Sequence, residues 1–150
     1  MELLVVMVLL AILAGSIGSR LVVDSTAELR DEANRLAALL QMTQQTSILE
    51  GQLYALRFEP GGYHFLTLND KNEMEEIHDE ELFRPRFWPA NMTVDQIKID
   101  DRERDQSDSS LVFTPMGDMP LIAITISQKQ HRWHIESHAD GTVTVKSGNA

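Results

Sequence analysis

Cysteine is absent from this chain of 150 residues. That excludes a disulfide framework, a cysteine-based zinc site and thiol catalysis. Positive charge is scarce, with 13 Lys and Arg against 23 Asp and Glu and a formal net charge of −10. This balance argues against nucleic acid, or an anionic lipid surface, as a partner of the polar part of the chain. No Gly-rich phosphate loop or dinucleotide fingerprint occurs, and no serine sits in a nucleophile-elbow setting. No internal repeat is visible. The reading is therefore non-enzymatic, with no catalytic residue, no metal ligand set and no cofactor.

What is present is concentrated at the start. Glu2 stands directly before an uncharged run, Leu3 to Ser19, and Leu21-Val22-Val23 extend it beyond Arg20. A membrane-spanning helix needs about 20 mostly apolar residues, with a lower limit near 17. The run is apolar on every side, which separates it from an amphipathic core helix. It lacks the basic n-region and the small-residue cleavage site of a secretory signal. A membrane helix is the expectation. Ala11, Gly15 and Ser19 recur at small-x-x-x-small spacing, which suits close helix contact in lipid.

The helical pattern resumes at Ser25 and runs to about Glu50. Ser25-Thr26-Ala27-Glu28 matches a capping box. Asp31 and Arg35 are spaced to pair on the surface. Ala33, Leu36, Ala37 and Leu40 form one apolar face, widened by Leu39 and Met42. Gly51 is a natural stop. Joined to the apolar run this gives up to about 48 residues of helix, on the order of 70 Å at 1.5 Å per residue. Gly15, Gly18 and Ser19 are weak helix formers and place a local melt or bend between Gly15 and Asp24.

After Gly51 the pattern turns to strands. Leu53–Phe58 and Tyr63–Leu68 flank Glu59-Pro60-Gly61-Gly62, a hairpin signal. Met92–Ile99 alternates, Leu111–Phe113 and Leu121–Ile126 follow, and Trp133–Glu136 joins Thr142–Val145 through Asp140-Gly141. About seven or eight antiparallel strands after one long helix make an α+β plan. Acid-rich Asp70–Glu81 and Asp100–Asp108 read as solvated loops. Calcium is the alternative there, without the spaced Asp-x-Asp-x-Asp-Gly loop pattern. Leu82–Pro89 is aromatic and broken by proline. Its Phe83, Arg84, Arg86, Phe87 and Trp88 either cover a sheet edge or form a partner surface, since aromatic and Arg residues favour interfaces. His134, Glu136 and His138 share one strand face, where the spacing of roughly 6.8 Å between alternate residues disfavours joint zinc ligation. They read as a solvent-facing row, with His131, Trp133 and Ile135 toward the core.

These residues carry a resemblance. Glu2-Leu-Leu-Val-Val-Met-Val-Leu-Leu-Ala-Ile-Leu-Ala is similar to the N-terminal helix of type IV pilins and type II secretion pseudopilins. Leu29–Leu40, Ile48–Gly51, Leu56-Arg57-Phe58, Gly62–Leu66, Trp133-His134-Ile135 and Asp140–Val143 resemble the GspH/FimT family. The resemblance implies a helix plus a β-sandwich, with residues 1–23 as the transmembrane and assembly half of the helix. It implies residues 24–51 as the half packed on the domain and 52–150 as a periplasmic sandwich. It implies a minor pseudopilin of the bacterial inner membrane, at or next to the tip of the type II secretion pseudopilus. The partners implied are the major pseudopilin, the other minor pseudopilins, inner-membrane lipid and secreted substrate. Glu2 matches the family acid that pairs with the N-terminal amine of a neighbouring subunit. A lone carboxylate in lipid costs on the order of 3 kcal/mol, so a cationic partner there favours assembly.

The chain departs from the family pattern in two places. The basic leader, the glycine cleavage site and the aromatic first mature residue are not found, and Met1 falls within the mature helix. The expectation is a truncated chain or a misassigned start codon. The proline common near the end of the apolar segment is replaced, at Ser19. The alternatives are a minor pilin of a type IV pilus and a membrane-anchored periplasmic binding domain.

Overall fold

The computed structural model describes residues 25–78 and 81–148 of the chain. The expected transmembrane half of the helix lies outside them. None of the helices among the described residues is long and apolar enough to cross a membrane.

The first element is helix α1, Ser25–Glu50. Its inner face runs Leu29, Ala33, Leu36, Ala37 and Leu40, all buried. Beyond Leu40 the same face turns polar, with Thr43, Gln44 and Ser47 also buried. Their donors find backbone carbonyls, whereas the Gln44 Oε1 atom has no partner among the described residues. Thr43 Oγ1 donates to Leu39 O at 2.7 Å, and Gln44 Nε2 donates to Thr114 O at 3.0 Å. Ser47 Oγ lies 2.6 Å from Gln52 O and 3.2 Å from Phe113 O, so both carbonyls compete for its hydrogen. Gly51 stops the helix as expected. Its φ of 65° is left-handed, and the Gln52 amide returns to Ser47 O at 3.2 Å, the long bond of a Schellman cap.

The pairing expected of Asp31 with Arg35 is not formed. Arg35 Nη1 instead reaches Glu32 at 2.6 Å, while Arg30 pairs with Asp31 at 3.3 Å. Glu32 faces the interior, and a buried carboxylate is a stronger attractor for Arg35 than an exposed one. Glu28, expected to close a capping box, accepts from Gln128 Nε2 at 3.1 Å, a tie from helix to sheet.

Ten strands follow. They are β1 (Tyr54–Glu59), β2 (Gly62–Leu68), β3 (Met74–Glu76), β4 (Arg86–Phe87), β5 (Met92–Ile99), β6 (Arg102–Arg104), β7 (Ser110–Phe113), β8 (Ile122–Gln128), β9 (His131–Ser137) and β10 (Val143–Gly148). They form two five-stranded sheets. The first runs β3-β2-β1-β7, with β4 also paired to β2. The second runs β10-β9-β8-β5-β6. Every pairing is antiparallel. Helix α1 packs mainly across β8, β9 and β10 and touches β1 and β7, so both sheets and the helix share one core.

The strands missed in the sequence lie in the acid-rich stretches and in the aromatic segment. Asp100 and Asp101 both hold left-handed φ, 50° and 62°, and join β5 to β6 in two residues. That is the geometry of a tight hairpin turn, usually written with Asn or Gly, and Asp is among the few side chains that tolerate it. Asn69 plays the equivalent part before β3. Its Oδ1 accepts from the amides of Lys71 and Glu73, both at 2.9 Å, and turns the chain back along β2.

Candidate interaction surface

The residues expected to drive assembly, Glu2, Ala11, Gly15 and Ser19, lie outside the described residues. The expected partner segment is described, and it divides in two. Phe83 is fully buried, stacked on Tyr54 with ring centres 4.7 Å apart and tilted against Phe65 at 5.2 Å. Trp88 packs on the core, 4.8 Å from the Tyr63 ring and 6.4 Å from that of Phe58. These two residues are anchors: Phe83 presents no surface of its own, and Trp88 is partly buried. Arg84 is exposed, Arg86 is half-buried, and Phe87 is 82% exposed.

The anchors hold the segment against the first hairpin. Arg86 pairs with Tyr63 and Phe87 with Gly62, and the Trp88 amide donates to Gly61 O at 3.0 Å. Gly62 is required at this approach. A Cβ there would lie 1.9 Å from the backbone oxygen of Arg86. Phe87 is thus carried on backbone held against Gly62, with Arg84 and Arg86 near it in the sequence. An exposed ring on clamped backbone loses little freedom on docking, as an interface anchor requires.

Below the segment, Tyr63 Oη donates to the buried Glu32 carboxylate at 3.3 Å. Burial, reinforced by the negative charge of Glu32, pushes the Tyr63 hydroxyl well above its ordinary range, with Arg86 and Arg35 pulling the other way. The side of the helix and the aromatic sheet are joined there by a polar contact.

The histidine row on β9 is occupied by cross-strand partners. His134 Nδ1 lies 2.9 Å from Thr125 Oγ1, His138 Nε2 lies 2.9 Å from Thr144 Oγ1, and Lys146 Nζ donates to Glu136 at 3.1 Å. Among the described residues, no three His, Asp or Glu side chains converge in a way that could hold a metal ion. One cluster escaped the sequence reading. His64, on β2, is buried with Nδ1 3.6 Å from Glu59 and Nε2 3.3 Å from Glu76, whose other oxygen is 3.5 Å from His78. The hairpin register was the available signal, because it sets His64 near the ends of both β1 and β3.

A helix laid on two antiparallel sheets is a fold of the pilin-like kind. The chain belongs to the family of type II transport protein GspH, whose profile matches residues 32–147. Two solved structures of the minor pseudopilin EpsH from the type II secretion system of Vibrio cholerae have a similar fold. One has a TM-score of 0.68 at 15% identity, over 85% of this chain and 99% of that one. The other has a TM-score of 0.63 at 15% identity, over 80% of this chain and 97% of that one. Among curated proteins, none matches.

Proposed function

We propose that the chain is a non-enzymatic minor pseudopilin, a structural subunit at or next to the tip of the type II secretion pseudopilus. The carrying observation is the family match over residues 32–147, downstream of a carboxylate set directly before an apolar run. In this reading residues 1–23 lie in the inner membrane and pack against other pilin-like helices. Residues 24–51 and 52–150 stand in the periplasm. Glu2 fixes the stagger between subunits through a neighbouring amine, and Ala11, Gly15 and Ser19 allow close helix approach. Arg84 and Phe87, steadied by Phe83, Arg86 and Trp88, meet a neighbouring subunit or the secreted protein. The work done is mechanical: the sandwich presents loops and the helix holds the stack.

The test is co-purification from membranes, with the chain expressed behind a prepilin leader, comparing wild type with Glu2→Ala and Glu2→Lys. The expected result is that wild type recovers other pseudopilins and both variants lose them. If all three lie in the membrane equally and alone, the helix is an anchor for a binding domain and the assembly reading is wrong. Recovery of type IV pilus subunits would move the chain to that machine.

A further inference from the structure

The outward faces of the two sheets differ in kind. An antiparallel sheet with one face in the core turns polar residues to water on the other. The second sheet does so. Its pairing register puts Lys98, Thr125, His134, Glu136 and Lys146 on the outer side, around Ala123. The first sheet does not. Tyr54, Leu56, Tyr63 and Phe65 face the core, so the alternate positions, paired as Val112–Ala55–Leu66 and Leu68–Met74, face outward. Ala55 and Leu66 are buried, yet neither belongs to the core shared with α1, which lies on the opposite side of this sheet.

At its margins the apolar face is open. Val112 is 44% exposed and Met74 is 40% exposed. The exposed Phe87 pairs with Gly62, which alternates with His64 and Leu66, so the knob stands on the same face. An apolar sheet face left in water marks an interaction site.

We propose that the outer face of the first sheet docks another protein, through a patch with an apolar centre and a basic margin. The margin follows from charge. Strand β3 and the turn before it border the face with Asp70, Glu73 and Glu75, and none of these carboxylates has an ion pair among the described residues. Glu59 and Glu76, held by His64, add to them, against Arg57 and Lys71. Two copies of the face would set this acidic excess against itself, and an anionic lipid surface would meet the same repulsion, whereas lysines or arginines on the partner are attracted. Arg57 pairs with His64 across the strands and is exposed inside the face, so it takes an acceptor from the partner. In taking Phe87 as a contact the face rests on the pseudopilus reading; Val112, Met74 and the acidic border do not depend on it.

The experiment keeps the full chain, expressed behind a prepilin leader in cells that make a type II secretion system. Benzoylphenylalanine is placed singly at Val112 or Met74, with Ala123 and Lys146 on the second sheet as controls. Membranes are illuminated, adducts are sized, and the attached peptides are sequenced by mass spectrometry. Val112 and Met74 are expected to join one other polypeptide at about tenfold the control yield, at a segment holding apolar residues with lysine or arginine. Asp70→Lys with Glu73→Lys lowers that yield by about tenfold. Both residues are exposed, and an unchanged melting curve shows that the fold is kept. Equal yields from the two sheets, adducts with a second copy or with lipid, or a yield unmoved by the charge reversal each overturn the proposal. Recovery of other pseudopilins with no adduct at Val112 or Met74 overturns the face and leaves the pseudopilus reading standing. An adduct that forms although no pseudopilin is recovered supports the face and removes that reading.

Discussion

The two sheets line their shared core with different side chains. The first is aromatic: Tyr54, Phe58, Tyr63, Phe65, Phe83 and Phe113 are buried, and Trp88 leans on them. The second is aliphatic, built on Ile97, Ile122, Ile124, Ile126 and Ile135. Rings contact one another at centre distances of 4.7 to 6.4 Å in fixed tilts, so each depends on its neighbours' orientation. Branched aliphatic side chains on a regular sheet are interchangeable within a methylene. The aromatic sheet accordingly carries the irregular, clamped feature, the knob at Phe87. The aliphatic sheet carries the long regular edge.

The contrast can be broken at its strongest point. Phe65→Ala removes a fully buried ring and costs about 3–5 kcal/mol, whereas Ile124→Val costs about 0.5–1.5 kcal/mol. Urea unfolding of the full chain in detergent measures both. Equal losses would mean that the sheets share one undifferentiated core. Next, Gly62→Ala forces a Cβ onto backbone and costs about 1–3 kcal/mol, the usual range for overpacking. Its particular sign is faster amide exchange at Trp88 with no change along β10. A uniform acceleration in both sheets would show that the clamp is not local.

A smaller effect lies where helix and aromatic sheet meet. Glu32→Ala leaves the Tyr63 hydroxyl without its acceptor and costs about 1–3 kcal/mol. Arg35→Ala costs less, on the order of 0.5–1 kcal/mol, because Arg35 is half exposed and water screens it. The reverse order would place the energy in the ion pair. Smallest are two pH limbs, one per sheet. The Tyr63 hydroxyl is held above its ordinary value of 10.0, so its contribution is intact below that pH and lost as pH rises beyond it. Asp140 is held below its ordinary 3.8 by bonds from Thr142, so its contribution is present above that value and lost as pH falls through the lowered one. In pH-dependent melting, Tyr63→Phe flattens only the alkaline limb and Asp140→Asn only the acid limb.

Where the sequence was read correctly, the signal was periodic or carried by glycine. Gly51 ended the helix, Pro60-Gly61 closed the first hairpin, and Asp140-Gly141 closed the last. Strand β6 was hidden because its turn is Asp100-Asp101, which looks like solvated charge. Strand β3 was hidden because all three of its residues are exposed, so no alternation marks it. The segment Leu82–Pro89 was recognised as unusual, but its division into anchors and knob depends on contacts with β1 and β2. Residues so distant in sequence leave no local pattern. The Asp31–Arg35 pair failed for a similar reason: on the helix alone Glu32 is one acid among several, and the fold makes it the interior group that takes Arg35.

The ties along α1 have a consequence of their own. Glu28 is bonded to Gln128 near one end, while Gln44 and Ser47 are bonded to Thr114 and Phe113 near the other. Those attachments lie on the order of 28 Å apart along the axis at 1.5 Å per residue. A pull directed along the helix therefore loads them together, in shear, and cannot open them one after another as a peel would. Pulled along α1, the domain resists separation from that helix more than it would if pulled across it.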